Sequence, residues 1–147
     1  MSGAKRLGID NLIHTKKCDG RTPDATLFGK ADAVMCDVPC SGLGVIAKKP
    51  DIRYKSFEDI ERLPEIQYQI LLNSANYVKD GGFIVYSTCT LRRAENQDVV
   101  EKFLENNKDF ELCKTELSHD DGYVTFLPQK SITDGFFVAK LVKKNKN

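Results

Sequence analysis

The 147-residue sequence predicts an α/β fold, and three observations carry that reading. Two short runs, Ala31 to Val38 and Phe83 to Thr88, are apolar on both alternate faces, the pattern of strands buried in a parallel sheet. Between them lies a stretch of helical period from about Glu61 to Lys79, and a second follows from about Ala94 to Asn106. Strand, crossover helix and parallel strand make a right-handed βαβ unit, and two such units imply a three-layer sheet with helices on both faces.

In chain order, Ala4 to Gly8 reads as a helix end closed by glycine, and Asn11 to Thr15 as a short strand leading to Cys18-Asp19-Gly20. Arg21 to Lys30, with Pro23, Gly29 and small polar residues, is a loop or short irregular helix. The apolar run from Ala31 ends at Asp37, which puts that carboxylate at the C-terminal end of a strand. In the helix around Glu61 to Lys79, Pro64 is expected in the first turn. Leu63, Ile66, Ile70, Leu71 and Val78 form its apolar face, and Gly81-Gly82 stops it. Phe83 to Thr88 then delivers Cys89 to a second strand end. In the following helix Val99, Val100, Phe103 and Leu104 face inward, and Asn106-Asn107 ends it. Phe110 to Leu117 and Gly135 to Val142 are the expected last strands, and the tail from Lys143 is expected to fray.

A hydrophobic content of 41% suits one domain with a single core. No apolar run approaches the length needed to span a bilayer, and residues 1–6 lack the apolar stretch of a secretory signal, so a cytoplasmic location is expected. The five cysteines (Cys18, Cys36, Cys40, Cys89 and Cys113) are odd in number and irregularly spaced, which argues against a disulfide framework and for a reducing compartment. Three residues separate Cys36 from Cys40, and His14 and His119 lie far away, so no metal site is expected. The net charge of +1 means that binding a polyanion would need local patches. Lys48, Lys49, Arg53 and Lys55 follow one cysteine segment and Arg92 and Arg93 another, while the C-terminal Lys140, Lys143, Lys144 and Lys146 read as a solvated surface.

In sheets of this kind ligands bind outside the C-terminal ends of the strands, and Asp19, Asp37, Cys40 and Cys89 all fall at that edge. The loop Asp37-Val38-Pro39-Cys40-Ser41-Gly42 packs a carboxylate, a rigid proline and a thiol together, and Thr88-Cys89-Thr90 brings a second thiol to the neighbouring strand end. Adjacent strands lie only about 4.8 Å apart, so both thiols would share one cleft. Free cysteine is often a small buried hydrophobe, which fits Cys36 and Cys113. Cys40 and Cys89 instead follow the end of an apolar run, among small polar residues and near basic ones that favour thiolate. Gly42-Leu43-Gly44-Val45-Ile46-Ala47 matches the letters of a dinucleotide fingerprint but not its context, because Lys48-Lys49-Pro50-Asp51 cannot continue the helix that fingerprint requires.

Four motifs, Asp37 to Gly44, Lys49-Pro50-Asp51-Ile52-Arg53-Tyr54, Tyr86 to Leu91 with Glu95-Asn96, and Asp134 to Leu141, closely resemble the RsmB/Sun family of ribosomal RNA cytosine-C5 methyltransferases over nearly the whole chain. The resemblance implies a Rossmann-like methyltransferase fold, S-adenosyl-L-methionine as methyl donor, and a cytosine of small-subunit ribosomal RNA as target. By position, Cys89 matches the family's nucleophile and Cys40 its second cysteine, associated with resolving the covalent adduct. Asp37 matches the acidic residue near methyl donor and base, and Asp19 the residue contacting the cofactor's adenine. Pro39, Lys48, Lys49, Arg53, Arg92 and Arg93 are the candidates for holding a flipped or single-stranded nucleotide.

The family's glycine-rich cofactor loop and acidic ribose-binding residue precede the segment matching Ala4 to Gly8. The resemblance therefore implies an N-terminally truncated fold that lacks its first strands, has one sheet edge exposed, and has weak activity or none alone. Two other classes compete with the enzyme: a noncatalytic RNA-binding module of the same fold, and a thiol redox protein using Cys40 and Cys89.

Overall fold

The computed structural model describes residues 2–119, 121–130 and 132–145. Short helix α1 (Ser2–Arg6) and a 3-10 turn at Asp10–Leu12 precede a largely exposed segment that reaches strand β1 (Ala31–Asp37). Helix α2 (Phe57–Tyr77) and strand β2 (Val78–Thr88) follow, then helix α3 (Gln97–Asn106) and strands β3 (Phe110–Leu112), β4 (Val124–Phe126) and β5 (Phe136–Lys143). The sheet runs β1-β2-β5-β3, with β4 also pairing β5. β1 and β2 are parallel, joined by α2, while β5 is antiparallel to both β2 and β3 and inserts between them. The sheet is therefore mixed, with β2 and β3 running the same way on either side of β5.

Helix α2 starts at Ser56, whose side chain accepts from Asp59 N–H, and Glu58 and Asp59 complement the first-turn dipole. Pro64 thus lies inside the helix and not in its first turn. Its missing N–H frees the carbonyl of Ile60, which accepts from Arg92 Nη1 at 3.5 Å. The helix ends at Tyr77, with Val78 already extended, so Gly81-Gly82 does not stop it. The glycines lie inside β2, where Gly81 takes φ of +77° and the pairing with β1 slips between Ala31 and Ala33.

Ile84, Tyr86 and Thr88 of β2 and Phe137, Ala139 and Leu141 of β5 point to one face, where they are buried with Leu71, Ala75, Val99, Val100 and Phe103 from the two helices. Both helices thus pack on the same face, and no α-helix of the described residues covers the other. The expectation of helices on both faces fails because the two crossovers, β1 to β2 and β2 to β3, advance across the sheet in the same direction, which puts right-handed connections on one face. On the uncovered face Met35 of β1 is 77% exposed, and Val85 and Val138 are half-buried.

The expected strand from Asn11 to Thr15 is absent. A strand needs a partner for its backbone hydrogen bonds, and none stands beside this segment. The chain is held only further on, by Asn73, which donates to the carbonyls of Gly20 and Thr22, and by Tyr77, whose hydroxyl accepts from Asp24 N–H. Of Phe110 to Leu117 only the first three residues form a strand. The tail expected to fray begins at the last residue of a strand. Lys143 ends β5 and donates to the carbonyl of Val78, and Lys144 is tied through its backbone to Asp109; residues 146 and 147 lie outside the described residues.

Candidate active site

Two loops meet at the C-terminal ends of β1 and β2. Asp37 pairs with Ser87 across the two strands, and Ser87 Oγ donates to Asp37 Oδ1 at 3.2 Å on the uncovered face. Beyond them Cys40 and Cys89 bring their sulfurs to 3.0 Å, and Cys89 N–H donates to Cys40 Sγ at 3.3 Å. Both cysteines are half-buried. Burial, reinforced by the hydrogen bond with Cys89, pushes the Cys40 thiol up to about 12, so at neutral pH it is a protonated group. Of the other cysteines, Cys36 is buried against Ser74, Cys113 is half-buried and Cys18 is exposed.

Close backbone approach locks the loops together. Gly44 N–H donates to the carbonyl of Cys89 at 3.0 Å, and Gly135 N–H donates to the carbonyl of Gly44 at 2.8 Å. A Cβ on Gly44 would fall 2.2 Å from the Gly135 carbonyl oxygen, so the second glycine of the rejected dinucleotide pattern is there for contact between loops. Beneath the thiols lies a buried polar layer. Ser41 Oγ donates to Thr90 Oγ1, Thr88 Oγ1 to Asn96 Oδ1, and Asn96 Nδ2 to the carbonyl of Thr90. Ser41 N–H and Gln67 Nε2 both donate to the fully buried Glu95.

Among the residues expected in the site, Asp37 and Pro39 are exposed, Asp37 against Ser87 at the strand ends and Pro39 next to Cys40 in the chain. Lys49 and Arg53 are exposed, with no ion pair among the described residues. Lys48 pairs with Asp134 at 2.6 Å, Arg93 pairs with Asp98 and Glu101, and Arg92 reaches Glu61 and lies 3.5 Å from Glu95. Asp19 lies in the N-terminal segment, where the Arg21 guanidinium and backbone N–H hold its carboxyl down at about 2. Lys55, read in the sequence only as one charge of a basic patch, donates to the carbonyls of Cys40 and Ser41, and Gln67 is a site residue that sequence reasoning missed. Gln67 sits four residues from both Leu63 and Leu71, and a polar residue on an apolar stripe was the available signal.

A cleft of about 340 Å³ opens on the uncovered face beside Asp37, lined by Met35, Ser87, Phe126, Thr133 and Phe136. A second cavity of about 470 Å³, walled by Val85, Leu117, Val124, Phe126 and Val138, contains neither thiol nor Asp37 and so lies apart from the chemistry. No helix of the described residues is long and apolar enough to cross a membrane, and no group of three His, Cys, Asp or Glu side chains among them could hold a metal ion.

An antiparallel strand inserted between β2 and β3, with two thiol loops at the C-terminal edge, defines an α/β protein of the Rossmann-like methyltransferase class. Residues 1–142 match the model of the 16S rRNA methyltransferase RsmB/F family, and the chain belongs to that family. It is 41% identical to the probable ribosomal RNA small subunit methyltransferase B of Bacillus subtilis, over 96% of the chain and 34% of that protein. It is 38% identical to ribosomal RNA small subunit methyltransferase B of Escherichia coli O1:K1, over 95% of the chain and 32% of that protein. The crystal structure of NSun6 from Pyrococcus horikoshii with SFG superposes with a TM-score of 0.81 at 31% identity, covering 99% of this chain and 38% of the other. The chain thus spans about a third of the length of the curated relatives it matches.

Proposed function

We propose that this chain forms the base-handling part of the active site of an S-adenosyl-L-methionine-dependent RNA methyltransferase that acts on cytosine C5 in small-subunit ribosomal RNA. The observation that carries the reading is the thiol pair, whose sulfurs lie 3.0 Å apart on two loops with a carboxylate at the end of the adjoining strand. Cytosine C5 is a poor nucleophile. A thiolate adding to C6 pushes electron density onto C5, which can then attack an electrophilic methyl group. Cys89 is the nucleophile in this reading. Asp37 hydrogen-bonds the base edge at N3 and N4, sharing a proton with it, and steadies the charge that develops on addition. After transfer a water molecule reaching the exposed mouth of the site takes the proton from C5, the C5–C6 double bond re-forms and the Cys89 thiolate is expelled. Cys40, protonated and in contact with Cys89 Sγ, supports the expelled sulfur at that step.

The residues present suit the methyl donor. The cleft beside Asp37 sets one carboxylate against Met35, Phe126 and Phe136, which fits a molecule with cationic groups on an otherwise apolar frame. S-adenosyl-L-methionine supplies a methyl group on a sulfonium centre. Asp37 would lie between the methyl donor and the base, and Asp19 would hold the donor's adenine after exchanging its contact with Arg21. Pro39 packs against the base, while Lys48, Lys49, Arg53, Arg92 and Arg93 bind phosphates of the flanking RNA, Lys49 and Arg53 without first breaking an ion pair among the described residues. The proposed place of work is the cytoplasm.

The test is covalent trapping. Residues 1–142 replace the matching third of the Bacillus subtilis relative, and the chimera is incubated with S-adenosyl-L-methionine and small-subunit RNA carrying 5-fluorocytidine, whose C5 cannot release a proton. A denaturation-resistant adduct is expected, lost with Cys89→Ala and kept with Cys40→Ala. An adduct that survives Cys89→Ala and disappears with Cys40→Ala reverses the two roles. RNA binding without adduct or methyl transfer points to a noncatalytic module.

A further inference from the structure

Glu95 is fully buried and takes no part in the chemistry set out above. Its Oε2 accepts from Ser41 N–H at 2.8 Å and from Gln67 Nε2 at 3.0 Å. Its Oε1 makes no hydrogen bond among the described residues and lies 3.5 Å from Arg92 Nη1. The same Gln67 nitrogen donates to the carbonyl of Pro39 at 2.9 Å, and Tyr86 donates its hydroxyl to the Glu95 carbonyl at 2.6 Å. One carboxylate therefore holds the peptide that follows Cys40 and the side chain that clamps the peptide before it, and it faces the arginine three residues beyond Cys89.

Burying a carboxylate costs several kcal/mol or more unless donors meet it. Here the donors come from the Cys40 loop and from α2, with Arg92 of the Cys89 loop alongside, so the buried group is tolerated only when both loops are closed on it. We propose that Glu95 is the positioning residue of the thiol pair, fixing Cys40 against Cys89 through the Ser41 amide. The proposal rests on the reading that the two thiols act on one base, and its test is made on the thiols themselves, without RNA or methyl donor.

The chain is equilibrated with mixtures of reduced and oxidised glutathione. Oxidised glutathione converts the two thiols to a Cys40–Cys89 disulfide and leaves as two reduced molecules, the protein losing two hydrogen atoms. Intact mass and the linked peptide identify the product. The equilibrium constant is the effective concentration of one thiol toward the other. Glu95→Ala is expected to lower it at least tenfold, read as a potential raised by about 30 mV. Glu95→Gln, which keeps an oxygen for the Ser41 N–H, is expected to stay within threefold of the unaltered chain. A merely structural role would lower the melting temperature of Glu95→Ala and leave the effective concentration in the folded protein unchanged, and that result overturns the proposal. So does the absence of any Cys40–Cys89 disulfide in the unaltered chain. Should Glu95→Ala fail to fold, Glu95→Asp keeps the charge near Arg92 while withdrawing the oxygen from Ser41. The same tenfold drop supports the proposal there, and an unchanged value overturns it. Failure of the methyltransferase reading shows separately, as a missing RNA adduct with the thiol equilibrium intact.

Discussion

Cys40 differs from an ordinary thiol because its surroundings favour the neutral form. Burial removes water from the sulfur, and the neighbouring Cys89 sulfur shares its hydrogen. With a folded value of about 12 against an ordinary 9.0, its protonated form stabilises the fold below about pH 9, and that contribution is lost as pH rises through about 12. The alkylation rate of Cys40 by iodoacetamide should therefore still be climbing at pH 10, and at pH 8 Cys40 should react far more slowly than exposed Cys18. Peptide mapping after timed quenching measures both, and equal rates at pH 8 would contradict this account. Tyr86 is displaced upward in the same sense, by burial first, with its hydroxyl donated to the Glu95 carbonyl.

The loops that carry the thiols are fixed by backbone contact between elements distant in sequence. Gly44 touches both the Cys89 carbonyl and Gly135, so the segment after β1, the one after β2 and the one before β5 meet at a single residue. Gly44→Ala places a methyl group inside the contact distance of a backbone carbonyl that cannot rotate away, and overpacking of this kind costs about 1–3 kcal/mol. Urea titration should register that loss, together with at least a tenfold fall in Cys40–Cys89 disulfide formation, because the loops must part. Gly3→Ala, in helix α1 where nothing lies within 4 Å, is the control and should leave disulfide formation unchanged and cost no stability. The break between the 3-10 turn Arg93–Glu95 and α3 belongs to this scale too. Asn96 takes φ of −116° and ψ of −97°, which turns its side chain and that of Glu95 down beneath the thiols in place of continuing a regular helix.

The whole molecule is one-sided. α2 and α3 seal one face of the sheet, while the other keeps Met35 and Phe136 exposed and carries the clefts near Asp37 and Val138. Stability should follow that asymmetry. Leu71→Ala, on the sealed face at zero exposure, is expected to cost about 2–5 kcal/mol, whereas Met35→Gln on the open face should change stability by about 0.5 kcal/mol or less. Chemical denaturation of the two variants checks this, and comparable losses would mean that the open face is packed in solution.

The order of β1, α2, β2 and α3 was legible in the sequence because hydrophobic period reports element type directly, and the two thiols were legible because each ends an apolar run. So was the burial of Val99, Val100 and Phe103, which repeat at helical spacing. Other features depended on partners far along the chain. Whether Asn11 to Thr15 becomes a strand depends on a neighbour to bond with, and whether Gly81-Gly82 ends a helix or bends a strand depends on the register with β1. The face on which the helices lie, the insertion of β5 between β2 and β3, and the burial of Glu95 and Gln67 beneath the cysteines were likewise decided only in three dimensions. A charged residue in a sequence reads as surface until a fold supplies the donors that let it be buried.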